Sequence, residues 1–154
     1  MVAKTEKILA PTDFSLLAEA GLKVAAQIAQ LHGARLILLH TLSKAERENL
    51  CESYFPKKPV DEVFLDLERG LKEHFYKLVP EEEFNAIKLE AVVREGTASE
   101  EILAEAKEKD ADLIVMATHG RTGLSHMVMG SVAEKVVRQA TCPVLTIRPG
   151  RDKF

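Results

Sequence analysis

Residues 111–137 read ADLIVMATHGRTGLSHMVMGSVAEKVV, and the change of period inside them decides the fold. Leu113, Ile114, Val115 and Met116 are apolar without alternation, the pattern of a strand buried on both faces. From Gly130 and Ser131 onward the pattern is that of an amphipathic helix. Gly120, Gly123, Gly130 and Ser131 lie between the two, so the connection is either a plain flexible turn or a seat for a phosphate chain. Glycine lets backbone approach phosphate oxygens without a Cβ in the way, and the free N–H groups of a helix start attract an anion.

The same alternation of strand and helix extends outward from this stretch. Residues 8–10 form a short apolar run that stops at Pro11, with turn chemistry in Thr12 and Asp13. Leu17, Leu22, Val24, Ala25, Ile28 and Leu31 then recur at helical spacing, with Ser15 as N-cap and Gly33 as the stop. RLILLHTL reads as a second buried strand. Residues 44–59 are polar, carry Pro56 and Pro59 and show no steady period. A long loop is expected there, with no more than a helical turn over 44–50. Val63, Phe64, Leu67, Leu71, Phe75 and Leu78 predict a helix over 61–79.

AIKLEAVVREG is a third strand, and Thr97 or Ser99 caps a helix running to Lys109. PVLTIRP is a fifth strand after the glycine stretch and its helix. The expectation is an α/β protein: a single-domain, doubly wound, five-stranded parallel sheet with helices on both faces. Residues 1–149 make the domain, and 150–154 are expected to fray.

A chain of 154 residues is long enough to bury a proper core. Its net charge of −3 gives no basic field for nucleic acid, and without Trp it has few stacking platforms for bases. No run approaches the roughly 20 apolar residues that span a bilayer, and the N-terminus has no signal-peptide pattern. No nucleic acid or membrane partner is therefore expected, and the location expected is cytoplasmic. Cys51 and Cys142 are expected to be free thiols, Cys142 as a small buried side chain. The five histidines make no zinc-type spacing with a cysteine, and Glu81–Glu83 and Glu100–Glu101 read as a solvated turn and a helix start.

In a doubly wound sheet a ligand sits beyond the carboxyl ends of the strands, where strand order reverses. Three loops meet there: 11–13, Thr41, and the glycine stretch. Asp13 is suited to accept hydrogen bonds from ribose hydroxyls. Gly130, Ser131 and Val132 open a helix toward an anion, and Ser131 adds a hydroxyl. Neither G-x-x-x-x-G-K-[ST] nor G-x-G-x-x-G is present, so a P-loop NTPase and a Rossmann dehydrogenase are unsupported. No nucleophile stands beside a base; any hydrolysis would rest on positioning and charge, and is expected to be slow or absent.

Along nearly its whole length the chain resembles the universal stress protein family. KILAPTDFS, ILLHTL, REGTASEEI and ADLIVMATHGRTGLSHMVMGSVAEKVVRQATCPVLTIRP carry the resemblance. It implies strand order 3-2-1-4-5 and a homodimer joined through the final strand. ATP-binding members carry G-x2-G-x9-G-[ST]. Gly120, nine residues, Gly130 and Ser131 fit the second part, whereas Ala117 stands where the first glycine belongs. The resemblance further implies that Pro11, Thr12, Asp13 and the backbone of Thr41 hold adenine and ribose. Met116 and Ala117 would line the pocket, with His119, Gly120, Arg121, Gly130, Ser131 and Val132 facing the phosphates. ATP, with Mg2+ carried by its phosphates, is the cofactor implied.

Three functions follow from these residues: an ATP-binding homodimeric regulatory module of the stress response; a nucleotide-free, chaperone-like interaction protein, which Ala117 favours; and an enzyme of nucleotide chemistry, such as a slow ATP hydrolase. The dimer has a physical basis of its own, because the short apolar strand at Val144–Ile147 leaves an open edge unless a second copy covers it.

Overall fold

The computed structural model describes residues 4–120 and 129–148. In chain order these form β1 (Lys7–Pro11), α1 (Leu16–His32), β2 (Arg35–Leu42), α2 (Lys44–Tyr54), α3 (Val60–Leu78) and α4 (Glu81–Phe84). There follow β3 (Lys88–Glu95), α5 (Ala98–Glu108), β4 (Leu113–Ala117), α6 (Ser131–Gln139) and β5 (Val144–Ile147). All strand pairs are parallel, in the order β3-β2-β1-β4-β5. The architecture is the expected doubly wound sheet.

Strand residues alternate between two cores, which is why the central strands are apolar on both faces. Ile8, Ala10, Leu36 and Leu38 pack with Leu22 and Ala26 of α1 and Leu71 and Phe75 of α3. Leu9, Ile37, Leu39, Ile114 and Met116 pack on the other side with Ile102 of α5 and Ala133 and Val136 of α6. Local chemistry sets the ends of α1. Ser15 Oγ accepts from Ala18 N at 3.2 Å, and Gly33 closes the helix at φ +63°, a conformation costly for residues with a Cβ.

Residues 44–59 depart from the expected loop, because 44–54 form an 11-residue helix. Ser43 and Glu46 make a reciprocal capping box: Ser43 Oγ accepts from Glu46 N, and Glu46 Oε2 accepts from Ser43 N. No residue of α2 is buried, so the helix carries no apolar stripe for a periodicity argument to detect. Thr97 is the N-cap residue of α5 without a side-chain bond, and Ser99 lies inside the helix. Cys142 is half-buried rather than enclosed, packed beside the second core. Burial pushes its thiol above the usual range, which keeps it a small, weakly ionised filler. Among the described residues no helix is long and apolar enough to cross a membrane. Arg121, Gly123, His126 and the expected tail at 150–154 lie outside the described residues.

A candidate nucleotide site at the strand ends

The cleft originates in Pro11. In β1 the even residues turn their backbone groups toward β2 and the odd ones toward β4, as the bonds Thr12 N to Leu39 O and Asp112 N to Lys7 O show. Pro11 therefore faces β4 with no N–H to give, and pairing of β1 with β4 stops at Leu9 and Ile114. β4 itself continues to Ala117, paired with β5. The sheet splits at the point where strand order reverses, and a cavity of about 350 Å3 lies in the split. That size falls within the range of small-molecule clefts, roughly 300–1,000 Å3.

Pro11, Thr12, Asp13, Thr41, Met116, Ala117, His119, Gly120, Gly130, Ser131 and Val132 all line this cavity. Of the residues that the resemblance assigns to the pocket, Arg121 alone lies outside the described ones. Ala18, Leu39, Ala98, Ile102, Thr118 and Ala133 also line it. In residue type they are indistinguishable from ordinary helix and strand positions. Ala98 and Ile102 share one face of α5, so the sole signal for them was the i, i+4 spacing that also marks a core.

Three kinds of hydrogen-bonding group meet in the cleft. The first is main chain at the end of β2. Arg35 N donates to Glu6 O and Leu39 O accepts from Thr12 N, so odd residues of β2 face β1; Leu42 O accepts from Gly96 N on the β3 side. Thr41 therefore turns its N–H and C=O to the β1 side, past the last residue of that strand. Neither group is hydrogen-bonded within the described residues.

The second group is the Asp13 carboxylate. Its Oδ1 accepts from Ser15 N at 3.0 Å, and a Cβ on Gly120 would stand 2.5 Å from its Oδ2. Phe14, which follows, has φ +65°, a strained conformation for an aromatic residue. Its ring is held at 4.8 Å from His40 and 5.1 Å from His74. Nothing in the sequence marked that strained turn, which lets Asp13 face the cleft while Ser15 caps α1.

The third group is the N-terminus of α6. Among the described residues no side chain caps it, and Gly130 O takes up the first helical bond from Glu134 N. The amides of Ser131, Val132 and Ala133 are left as donors on the cavity wall. Thr118 fixes their place. Its carbonyl accepts from Gly130 N at 2.6 Å, and its N–H and hydroxyl both donate to Ile147 O, at 2.9 and 3.2 Å. With its proton committed there, the Thr118 hydroxyl accepts from Nδ1–H of His119 at 2.9 Å. Ala117 lies at the wall half-buried, its methyl leaving the cavity open.

A donor–acceptor pair, a carboxylate and a row of amides along one cleft fit a base, a sugar and an anion in that order. The model of the universal stress protein family matches residues 4–148. Universal stress protein MJ0577 of Methanocaldococcus jannaschii is 32% identical over 155 residues, covering 93% of this chain and 94% of that protein. Its solved structure superposes with a TM-score of 0.74 at 29% identity, covering 97% of this chain and all of that one (100%). UspA from Lactobacillus plantarum superposes with a TM-score of 0.75 at 26% identity, covering 96% of this chain and 100% of its own. A universal stress protein solved in complex with cAMP shares the fold, with a TM-score of 0.67 at 19% identity over 96% of this chain and 100% of that one. By sequence along nearly its full length and by the topology of its sheet, the chain belongs to the universal stress protein family.

Proposed function

We propose that the protein is an ATP-binding regulatory module, cytoplasmic and homodimeric, in which the nucleotide ties together the loops after β1, β2 and β4. The observation that carries this reading is the order of groups in the cleft. Thr41 offers one N–H and one C=O, the complement of adenine's N1 acceptor and N6 donor; guanine presents the reverse pattern. Asp13 offers a carboxylate to ribose hydroxyls. The amides of Ser131, Val132 and Ala133 offer donors and a positive dipole end to phosphates. Magnesium would travel with the phosphates, since it needs few protein ligands. That a relative of this fold was solved with cAMP agrees with an adenine nucleotide as occupant.

The test is a thermal titration on protein first checked by mass spectrometry for co-purified nucleotide. ATP at 100 times its Kd stabilises the folded form by about 2.7 kcal/mol, a rise of roughly 5–10 °C in Tm for a chain of this size. A flat titration of nucleotide-free protein removes the reading and leaves the nucleotide-free interaction protein. In Asp13→Asn the bond from Ser15 N is kept while the charge facing ribose is lost. Its affinity for ATP should fall about tenfold to a hundredfold, as befits a charge-assisted bond. Phosphate release followed in the same samples separates a sensor from a hydrolase, for which turnover would be steady.

The dimer is proposed through Val144–Ile147. β5 is an edge strand of the sheet, and Leu145 on it is 38% exposed, close in kind to the exposed Val137 on α6. An apolar open edge of this type is closed by a second copy across a two-fold axis. Leu145→Lys should turn a dimer into a 17 kDa monomer by sedimentation. A wild type already monomeric at high concentration would refute the assembly without touching the nucleotide site.

A further inference from the structure

The two central ladders stop for different reasons, and the second reason is a side chain. Between β1 and β2 the rungs run in strict alternation, from Arg35 N to Glu6 O through Thr12 N to Leu39 O, the last of 2.8 Å. The rung due next joins Thr41 N to Thr12 O, and it is not made. The Thr12 carbonyl instead accepts from Nδ1–H of His40 at 2.9 Å.

His40 is 8% exposed and shares the sheet face of Leu36 and Leu38, opposite the cleft that Leu39 and Thr41 line. Its ring thus reaches the Thr12 carbonyl from outside the plane of the sheet. A peptide turned to meet it is turned away from Thr41. Phe14, 4.8 Å from the ring, braces it.

We propose that His40 is a positioning residue for the base subsite: by taking the Thr12 carbonyl it ends the β1–β2 ladder one rung early and keeps Thr41 N–H open as the donor that reads adenine N1. The inference rests on the nucleotide reading above. It assigns to a residue that never touches the ligand the choice between a closed ladder and an open recognition edge. An apolar residue at position 40 releases the Thr12 carbonyl, and Thr41 N–H then satisfies it internally. The adenine edge loses its donor while the ribose and phosphate contacts stay.

The test uses ATP and 1-deaza-ATP, which carries C–H in place of N1. Wild-type protein should prefer ATP by about tenfold or more, the effect of one buried hydrogen bond left unmade. In His40→Leu that ratio should fall toward one, chiefly through weaker ATP binding, with 1-deaza-ATP affinity within about threefold of wild type. In His40→Asn, whose amide N–H can occupy the position of Nδ1–H, the preference should return. A general loss of folding lowers both affinities together and shows in the melting curve, so it does not imitate a change of ratio. A folded His40→Leu with the wild-type ratio overturns the proposal, as does a wild type that binds both analogues equally. Wild-type protein that binds no ATP overturns the nucleotide reading and this inference with it.

Discussion

Arg94→Ala should lower the unfolding free energy by about 3–5 kcal/mol, the effect of leaving a buried carboxylate without its counter-charge. Arg94 on β3 holds three carboxylates of α5 at once. Nε donates to Glu101 at 2.6 Å, and one terminal nitrogen donates to Glu105 at 2.7 Å and to Glu108 at 2.8 Å. Glu105 is the decisive partner, since its side chain is only 2% exposed and its Oε1 has no partner among the described residues. Removing the guanidinium strands that charge between helix and sheet. Tm should fall by roughly 10 °C. The double variant Arg94→Met with Glu105→Leu should recover most of the loss, because a well-packed apolar pair replaces the ionic one. A single variant within about 1 kcal/mol of wild type would show that Glu105 is relieved by other means.

The same cluster gives a direction in pH. Bonding to Arg94 holds the Glu108 carboxyl below its usual range, with the charge of the guanidinium adding to the effect. A carboxylate depressed on folding contributes stability above its unfolded pKa and loses it as pH falls through the folded value. Acid titration should therefore cost the wild type more Tm than Arg94→Met across the carboxylate range. Glu108 is exposed, so the effect is modest.

Most of this architecture is legible in the sequence because both faces of the central strands are buried. Leu36 to Leu39 and Ile114 to Met116 have nowhere to place a polar group, and a run of that kind admits few assignments. α2 escapes for the opposite reason: it buries nothing, and its stability rests on the cap at Ser43 and Glu46 rather than on a stripe. The cleft is legible in its charged and glycine positions, since Asp13, Gly130 and Ser131 carry chemistry in the residue type itself. What does not show is geometry that any residue type can supply. Thr118 contributes a carbonyl and Phe14 a strained dihedral. His40 is visible as a histidine, yet its partner at Thr12 is 28 residues away in sequence and adjacent only once two strands have paired.

Glycine illustrates how a residue read for one reason can be needed for another. Gly130→Ala should weaken ATP binding by more than a hundredfold, and conformational freedom is not the cause. Gly130 sits at φ −72° and ψ 161°, which alanine adopts freely. The cause is space. A Cβ there would stand 2.9 Å from the Thr118 carbonyl oxygen and 3.5 Å from His119 Cα, and both neighbours are backbone that cannot rotate aside. Relief requires the start of α6 to move off the end of β4, which stretches the 2.6 Å bond from Gly130 N to Thr118 O. The amides of Ser131, Val132 and Ala133 move with it. Losing two charge-assisted bonds to phosphate at about 1.5–3 kcal/mol each is enough for the stated drop. Gly70→Ala is the matched control, since Gly70 is an exposed position of α3 and no heavy atom lies within 4 Å of its added Cβ. It should raise stability by about 0.5–1 kcal/mol through helix propensity and leave ATP affinity unchanged. If Gly130→Ala binds ATP as tightly as wild type, the phosphates do not rest on the α6 amides, and the nucleotide lies elsewhere in the cleft.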